Sequence, residues 1–423
     1  MADQFSEEYL ESNWKEWYLA LQGFFYFSQG VAIVAIIILP LFMQEVIGLS
    51  DTRSLGLYGI IMLPWGIKIV YGLLSDNVSI GRFGRRKPYI LIGGFLGIIG
   101  WVILPFTSTV APFIVVALLV SVSIALMDAT LDSLAVDITP HKRRGAMQAV
   151  GWGLRGAGMA LAGFILGILM NRGLWDLIYI LPGAMLLLSS GVVMLFPEKR
   201  LSLEDKIVQT DWSMYKKAFS KSSTWWVTLF MILSGTGITV VSVFTTFVSQ
   251  ETTLELLYVG LGVTVFALGQ FVGAGIIGLL GDYLPLAPVL IGTTIVYGGL
   301  LGTMFLISTS SLAVIYTIVV FVGAINGGYE ATQMRLGMEH SVGPVGGTLY
   351  NWFMSISNLG QLTLGAWFIA DLASGTRFNY PEAMQFATIF LVLALIPGII
   401  AIRQIKKKQV SVEEPERVEV RDF

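Results

Sequence analysis

Four ionisable side chains lie deep within apolar stretches of the chain: Lys68, Asp128, Arg155 and Glu330. A charge in hydrocarbon costs about 2.5 kcal/mol or more, so each needs a partner or a task. Asp128 precedes Asp137 by nine residues and Arg155 follows Ala146 by nine. At about 1.5 Å per helical residue, both sit roughly 13 Å from the same helix end. On adjacent antiparallel helices they are level, and the spacing predicts a charge-assisted Asp128–Arg155 pair. Lys68, eight residues before Asp76, and Glu330, eight before Met338, reach roughly 12 Å. Asp132 falls one turn below Asp128 on the same face. A carboxylate held by a positive charge in one state and protonated in another is a proton-coupling element, so H+ is the expected coupling ion and Na+ the less favoured one.

Polar and aromatic residues surround these charges at helical spacing. Tyr18, Gln22, Tyr26 and Gln29 share one face of the first apolar stretch; Trp152 joins Arg155, and Asn326 joins Glu330. On the eleventh stretch Asn351 and Asn358 align beside Trp352. Amides, hydroxyls and ring faces around a few charges suit a polar organic solute such as a sugar. The competing reading for each residue singly is an interhelical hydrogen bond.

The elements that position these residues follow from composition. Fifty-five per cent of the 423 residues are hydrophobic, 13% are charged and the mean hydropathy is +0.75, which leaves too little polar surface to cover a soluble core. Stretches of about 18 residues or more, enough to cross roughly 30 Å of hydrocarbon, fall at 17–42, 54–75, 89–106, 111–136, 146–170, 176–196, 225–248, 256–280, 287–308, 311–334, 347–370 and 383–402. They lack the alternation of barrel strands, so twelve helices are expected. Of the 26 Lys and Arg, only Arg53, Arg172 and Arg377 fall in the loops of one side, which makes the other side, with both termini, cytoplasmic. The first span follows the acidic, aromatic stretch Glu7 to Trp17 instead of a basic leader, so it is expected to be retained.

The chain repeats itself. Gly72-Leu73-Leu74-Ser75-Asp76 returns 206 residues later (282 minus 76) as Gly278-Leu279-Leu280-Gly281-Asp282, and Asp128-Ala129-Thr130 returns 202 residues later (330 minus 128) as Glu330-Ala331-Thr332. Two related six-helix bundles are expected, 1–196 and 225–403, joined by a cytoplasmic linker at 197–224 and followed by a disordered tail at 404–423. Trp212, Tyr215 and Phe219 are spaced for a short helix lying on the lipid headgroups.

The stretch from Gly72 through Asp76 to Gly84-Arg85-Arg86 resembles the major facilitator superfamily, whose loop between helices two and three reads Gly-x-x-x-Asp and then Gly-Arg-Arg/Lys. The resemblance implies that fold over the whole chain and a gate in which Asp76, Arg85 and Arg86 latch one conformation, with a weaker copy at Gly278 and Asp282. The longer spacing from Asp76 to Gly84 resembles the glycoside/cation symporter, folate-biopterin transporter and muropeptide permease branches. Met127-Asp128 through Arg155 is similar to the first of these, where an acid on helix four and an arginine on helix five bind sugar. That branch's two further acids on helix two correspond to Pro64 and Lys68 here, which disfavours a sodium site. Trp65, Lys68 and Tyr71-Gly72 are similar instead to the other two branches, which implies an anionic pterin or muropeptide as the alternative solute. Val136 to Gly145 is similar to proteins associated with light-harvesting complexes, so an assembly factor, or a lipid flippase, is the reading from another class.

No Gly-x-x-x-x-Gly-Lys-Ser/Thr loop or serine-histidine constellation is present, so no enzyme is expected. Zero cysteines exclude disulfides and thiol chemistry, and two histidines argue against a metal site; no cofactor is expected. The expected partners are a small-molecule substrate and the lipid bilayer, with no nucleic acid. The expected state is a multi-pass monomer in the cell (inner) membrane.

Overall fold

A computed structural model describes residues 11–413, apart from 13, 79, 81–85, 141–142, 196–211, 253, 282–283, 305, 307–310, 342–345 and 375–377. Every regular element among the described residues is a helix. In chain order they are α1 (Trp17–Ile37), α2 (Leu39–Glu45), α3 (Asp51–Ile61), α4 (Leu63–Gly66), α5 (Lys68–Asn77), α6 (Lys87–Ile103), α7 (Val110–Ile138), α8 (Arg144–Asn171) and α9 (Trp175–Val192). There follow α10 (Trp212–Phe219), α11 (Ser222–Gly237), α12 (Val240–Glu251), α13 (Leu256–Gly281), α14 (Leu286–Leu301), α15 (Leu312–His340), α16 (Gly346–Asn358), α17 (Gly365–Ser374) and α18 (Tyr380–Glu413).

Among the described residues, eight helical stretches are long and apolar enough to cross a membrane: Trp17–Glu45, Lys87–Phe106, Val110–Ala135, Val150–Asn171, Trp175–Leu195, Leu256–Ile277, Leu312–His340 and Tyr380–Gln404. The other expected stretches are shorter or broken. The second breaks at Met62 and again at Ile67, where Pro64 and Gly66 interrupt the backbone ladder. The seventh breaks at Ile238 and Thr239, just past Gly235 and Gly237. The eleventh passes through a π-helical turn, Leu359–Leu364, between α16 and α17. Breaks of this kind free backbone groups and side chains inside a bundle, and π turns cluster at functional sites.

Large apolar side chains such as Phe95, Leu188, Val392 and Ile396 face outward, each about 60% exposed, the surface a lipid-facing helix requires. Inside, small residues let backbones touch. A Cβ on Gly30 would stand 2.2 Å from the Arg155 carbonyl oxygen, and one on Gly158 2.2 Å from that of Phe27, so α1 and α8 lie backbone to backbone. Gly323 against Phe266 O (2.2 Å) and Gly273 against Ala324 O (1.7 Å) do the same for α13 and α15.

Two seams join residues before the linker to residues after it. Gly163 and Gly167 of α8 meet Gly260 of α13, and the broken α3–α5 run meets α16, the π turn and α17. One end of the molecule is tied across: Gln250 donates to Gln44 (3.2 Å), Thr245 Oγ1 to Ile37 O (2.8 Å), Tyr380 OH to Asp51 Oδ2 (2.7 Å) and Trp367 Nε1 to Gly56 O (2.7 Å). The expected linker helix forms as α10, with Trp212 68% exposed. α18 continues to Glu413, past the start of the expected tail at 404, because Gln404 to Gln409 include no proline or glycine. Residues 414–423 lie outside the described set.

Candidate functional site

The break at Ile67 releases Lys68 at the first position of α5, from which its side chain runs inward and is 7% exposed. Lys68 Nζ forms an ion pair with Asp128 Oδ2 and lies 4.0 Å from Asp132 Oδ2. The Trp65 ring centroid is 5.6 Å from the same nitrogen. Gln29 Nε2 of α1 donates to Asp128 Oδ1, and Tyr26 OH, one turn earlier, donates to Asp132 Oδ1. The expected Asp128–Arg155 pair is therefore corrected: the cation on Asp128 is Lys68. Equal depth set the two residues level, but the side chains leave their helices in different directions.

Arg155 instead stands over the Trp152 ring, 4.6 Å from its centroid, and makes no ion pair among the described residues. Asp128, Asp132 and Glu330, acids from both parts of the chain, are all within reach of its charge.

Glu330 is held by neutral groups alone among the described hydrogen-bond partners. Gln270 Nε2 of α13 donates to it at 2.9 Å and Gln361 Nε2 of the π turn at 3.2 Å. Gln270 also donates to Asn326 Oδ1 (3.0 Å), and Asn326 Nδ2 to Tyr297 OH (2.8 Å). Gln270, Gln361 and Tyr297 were not anticipated. At the offsets of their own motifs, 206 and 202, Lys68 corresponds to Ala274 (68 plus 206) and Arg155 to Ser357 (155 plus 202), each one turn away from the glutamine on the same helical stretch. Asp128 is bonded to an ammonium and an amide, Glu330 to two amides.

The remaining expected residues separate. Gln22 is buried, with its Oε1 unpartnered. Tyr18 packs edge-on to Trp14 at 5.6 Å, near the start of α1. Asn351 faces Gly72, its Nδ2 3.5 Å from where a Cβ there would be, and Asn358 is half-buried where the π turn begins. Trp352 is drawn away: its Nε1 donates to Thr228 Oγ1 (2.9 Å), and its ring meets Phe219 and Trp225 edge-on. Its bulk packs α16 against α11.

At the gate, Arg86 Nη1 donates to Ser75 Oγ (2.8 Å), which donates to Gly72 O (3.0 Å), tying the start of α6 to α5. Lys87 Nζ donates to Met194 O (2.9 Å). Gly278 lies near the end of α13. Gly84, Arg85 and Asp282 lie outside the described residues, as does the side chain of Asp76. No group of three or more His, Cys, Asp or Glu placed to hold a metal ion occurs among the described residues.

The profile described as Major Facilitator Superfamily matches residues 66–365. The folate-biopterin transporter of Synechocystis sp. is 26% identical over 315 residues, 73% of this chain and 63% of that protein. The anhydromuropeptide permease of Escherichia coli K12 is 22% identical over 266 residues, 59% of this chain and 48% of the permease. The chain thus spans about half to two-thirds of the length of these curated relatives. Among solved structures, an inward-facing, unoccupied bacterial homolog of the human lysosomal transporter Spinster superposes with a TM-score of 0.69 at 15% identity, covering 95% of this chain and 98% of the other. A mutant of the nucleoside transporter NupG superposes with a TM-score of 0.67 at 11% identity, covering 92% and 99%. At such identities the likeness is one of fold.

Proposed function

Because the chain belongs to the Major Facilitator Superfamily, we propose that it is a secondary transporter of the cell (inner) membrane, moving a small polar organic solute by alternating access. In this reading twelve spans form two pseudo-symmetric bundles with both termini in the cytoplasm. The end tied by Gln44–Gln250 and Asp51–Tyr380 is the outer one, and the conformation faces inward.

The observation that carries the proposal is Arg155: a guanidinium with no ion pair among the described residues, resting on Trp152, with its charge in reach of Asp128 and Asp132 on one side of the linker and Glu330 on the other. A solute seated there touches both parts of the chain at once, so its binding energy differs between conformations in which those parts are apart and together, which is what drives alternation. A ring face beside a fixed guanidinium suits a planar solute that carries a carboxylate. The names of the relatives move the preference the same way, from the sugar expected on sequence to a pterin-like heterocycle. Proton coupling resides in the buried acids: a proton on one of them releases its amide, hydroxyl or ammonium partner and reshapes the cluster as the solute loads.

Purified protein reconstituted into vesicles tests this reading. An acid-outside gradient is expected to drive accumulation of a labelled pterin, with unlabelled sugars failing to compete. Competition by sugars and not pterins would return the solute class to the first expectation. A flux indifferent to the proton gradient would remove the coupling, and no flux of either solute would remove transport of both classes.

A further inference from the structure

α10 has two faces. Inward, Ala218 is buried, Tyr215 OH lies 3.4 Å from Thr348 Oγ1 of α16, and the Phe219 ring meets that of Trp352 edge-on at 5.6 Å. Outward, Trp212 is 68% exposed, and Lys216, Lys217 and, just beyond the helix, Lys221 are exposed and make no ion pair among the described residues. The run from Trp212 to Trp225 holds three lysines and no acid, Asp211 being the residue before it. Its level in a bilayer follows from α11. Trp225, whose Nε1 donates to Phe219 O (2.8 Å), is 52% exposed, and Leu229, one turn deeper, is 42% exposed, so both stand on the lipid-facing side of that helix. A tryptophan so placed lies where hydrocarbon meets headgroups, which puts the adjoining lysines among the headgroups. α16, against which α10 packs, reaches the centre of the molecule: its Ser355 Oγ accepts from Ile69 N (3.0 Å), the residue after Lys68.

We propose that Lys216, Lys217 and Lys221, flanked by Trp212 and Trp225, form a docking surface for anionic phospholipid headgroups, and that lipid bound there braces α10 against α16. A zwitterionic headgroup brings its own cation beside its phosphate, so three unpaired ammonium groups select lipids of net negative charge. Trp352 conveys the bracing, because its ring meets Phe219 while its Nε1 donates to Thr228 of α11. This inference goes beyond the transport reading, and its test needs no flux, so either can fail alone.

The chain has no cysteine, so Met214→Cys puts a single fluorophore on the exposed side of α10. The labelled full-length protein is placed in nanodiscs of phosphatidylcholine and phosphatidylglycerol, with bromine on the acyl chains of one lipid or the other. Brominated phosphatidylglycerol is expected to quench more strongly than brominated phosphatidylcholine at the same fraction, and the difference to shrink with added salt. With Lys216→Gln/Lys217→Gln/Lys221→Gln in the same labelled protein, the two lipids are expected to quench equally. Equal quenching with the lysines present, or a preference that survives the triple substitution, overturns the docking surface. Bracing is read from unlabelled protein. The melting temperature of wild type is expected to be higher in nanodiscs containing phosphatidylglycerol than in phosphatidylcholine alone, and Phe219→Ala is expected to lose that difference. Should Phe219→Ala not fold, Phe219→Leu, which keeps bulk and loses the ring contact, is measured in the same way. No difference in wild type, or the full difference in the Phe219 variant, overturns the bracing.

Discussion

Asp128 is buried with three interactions that depend on its charge or its oxygens: the Lys68 ion pair, the Gln29 amide and the field of Arg155. Asp128→Asn keeps the shape but removes the charge, and the Lys68 ammonium is then left without its counter-ion. Concentrative uptake is expected to collapse in this variant while counterflow exchange persists; wild-type gradient-driven uptake would show that Asp128 plays no part in coupling. Arg155 makes a different prediction, because its guanidinium stacks instead of pairing. Arg155→Lys keeps the charge and loses the flat, delocalised face, so KM for transport is expected to rise roughly tenfold, equivalent to about 1.4 kcal/mol, with little change in melting temperature. An unchanged KM would place the solute elsewhere. Depth counting placed all these residues within the same layer, yet it matched Asp128 with Arg155. Height along a helix follows from residue number, whereas the direction in which a side chain leaves depends on how each helix is rotated against its neighbour.

At the scale of elements, the seams depend on glycine. A Cβ at Gly273 would stand 1.7 Å from the Ala324 carbonyl oxygen of α15, and the backbone cannot yield locally. Two residues on, Gly275 has nothing within 4 Å of the same construction. Gly273→Ala is therefore expected to destabilise by about 1–3 kcal/mol through forced separation of α13 and α15. Gly275→Ala is expected to be neutral, or to stabilise by up to about 1 kcal/mol through helix propensity. Melting temperatures of the two variants decide the matter, and equal losses would show that the α13–α15 contact is not close. The helix breaks are the other element-scale feature. The second apolar stretch was expected to be one helix; the break at Ile67 that frees Lys68, and the π turn that presents Gln361, arise where these segments pack against each other.

The whole molecule is closed at one end by bonds between distant parts of the chain, Gln44 to Gln250 and Asp51 to Tyr380 among them. Alternating access requires that end to open. The chain has no cysteine, so in Gln44→Cys/Gln250→Cys a short bis-maleimide reacts at those two positions alone. Cross-linking is expected to abolish uptake, with the single variants unaffected by the same reagent. Uptake at the wild-type rate by fully cross-linked protein would show that this end does not part during the cycle. The sequence by itself determined the helical membrane class, the internal repeat and which charges fall within apolar stretches, because apolar length, repeated motifs and residue order are properties of the chain. It also contained Gln270 and Gln361, though nothing in an uncharged glutamine set them apart from other polar residues. Only the tertiary structure decided which cation meets Asp128 and which stays free. That choice depends on helix rotation, on a break one residue before Lys68 and on glycine contacts that set how closely helices approach, all of which are settled by packing in three dimensions.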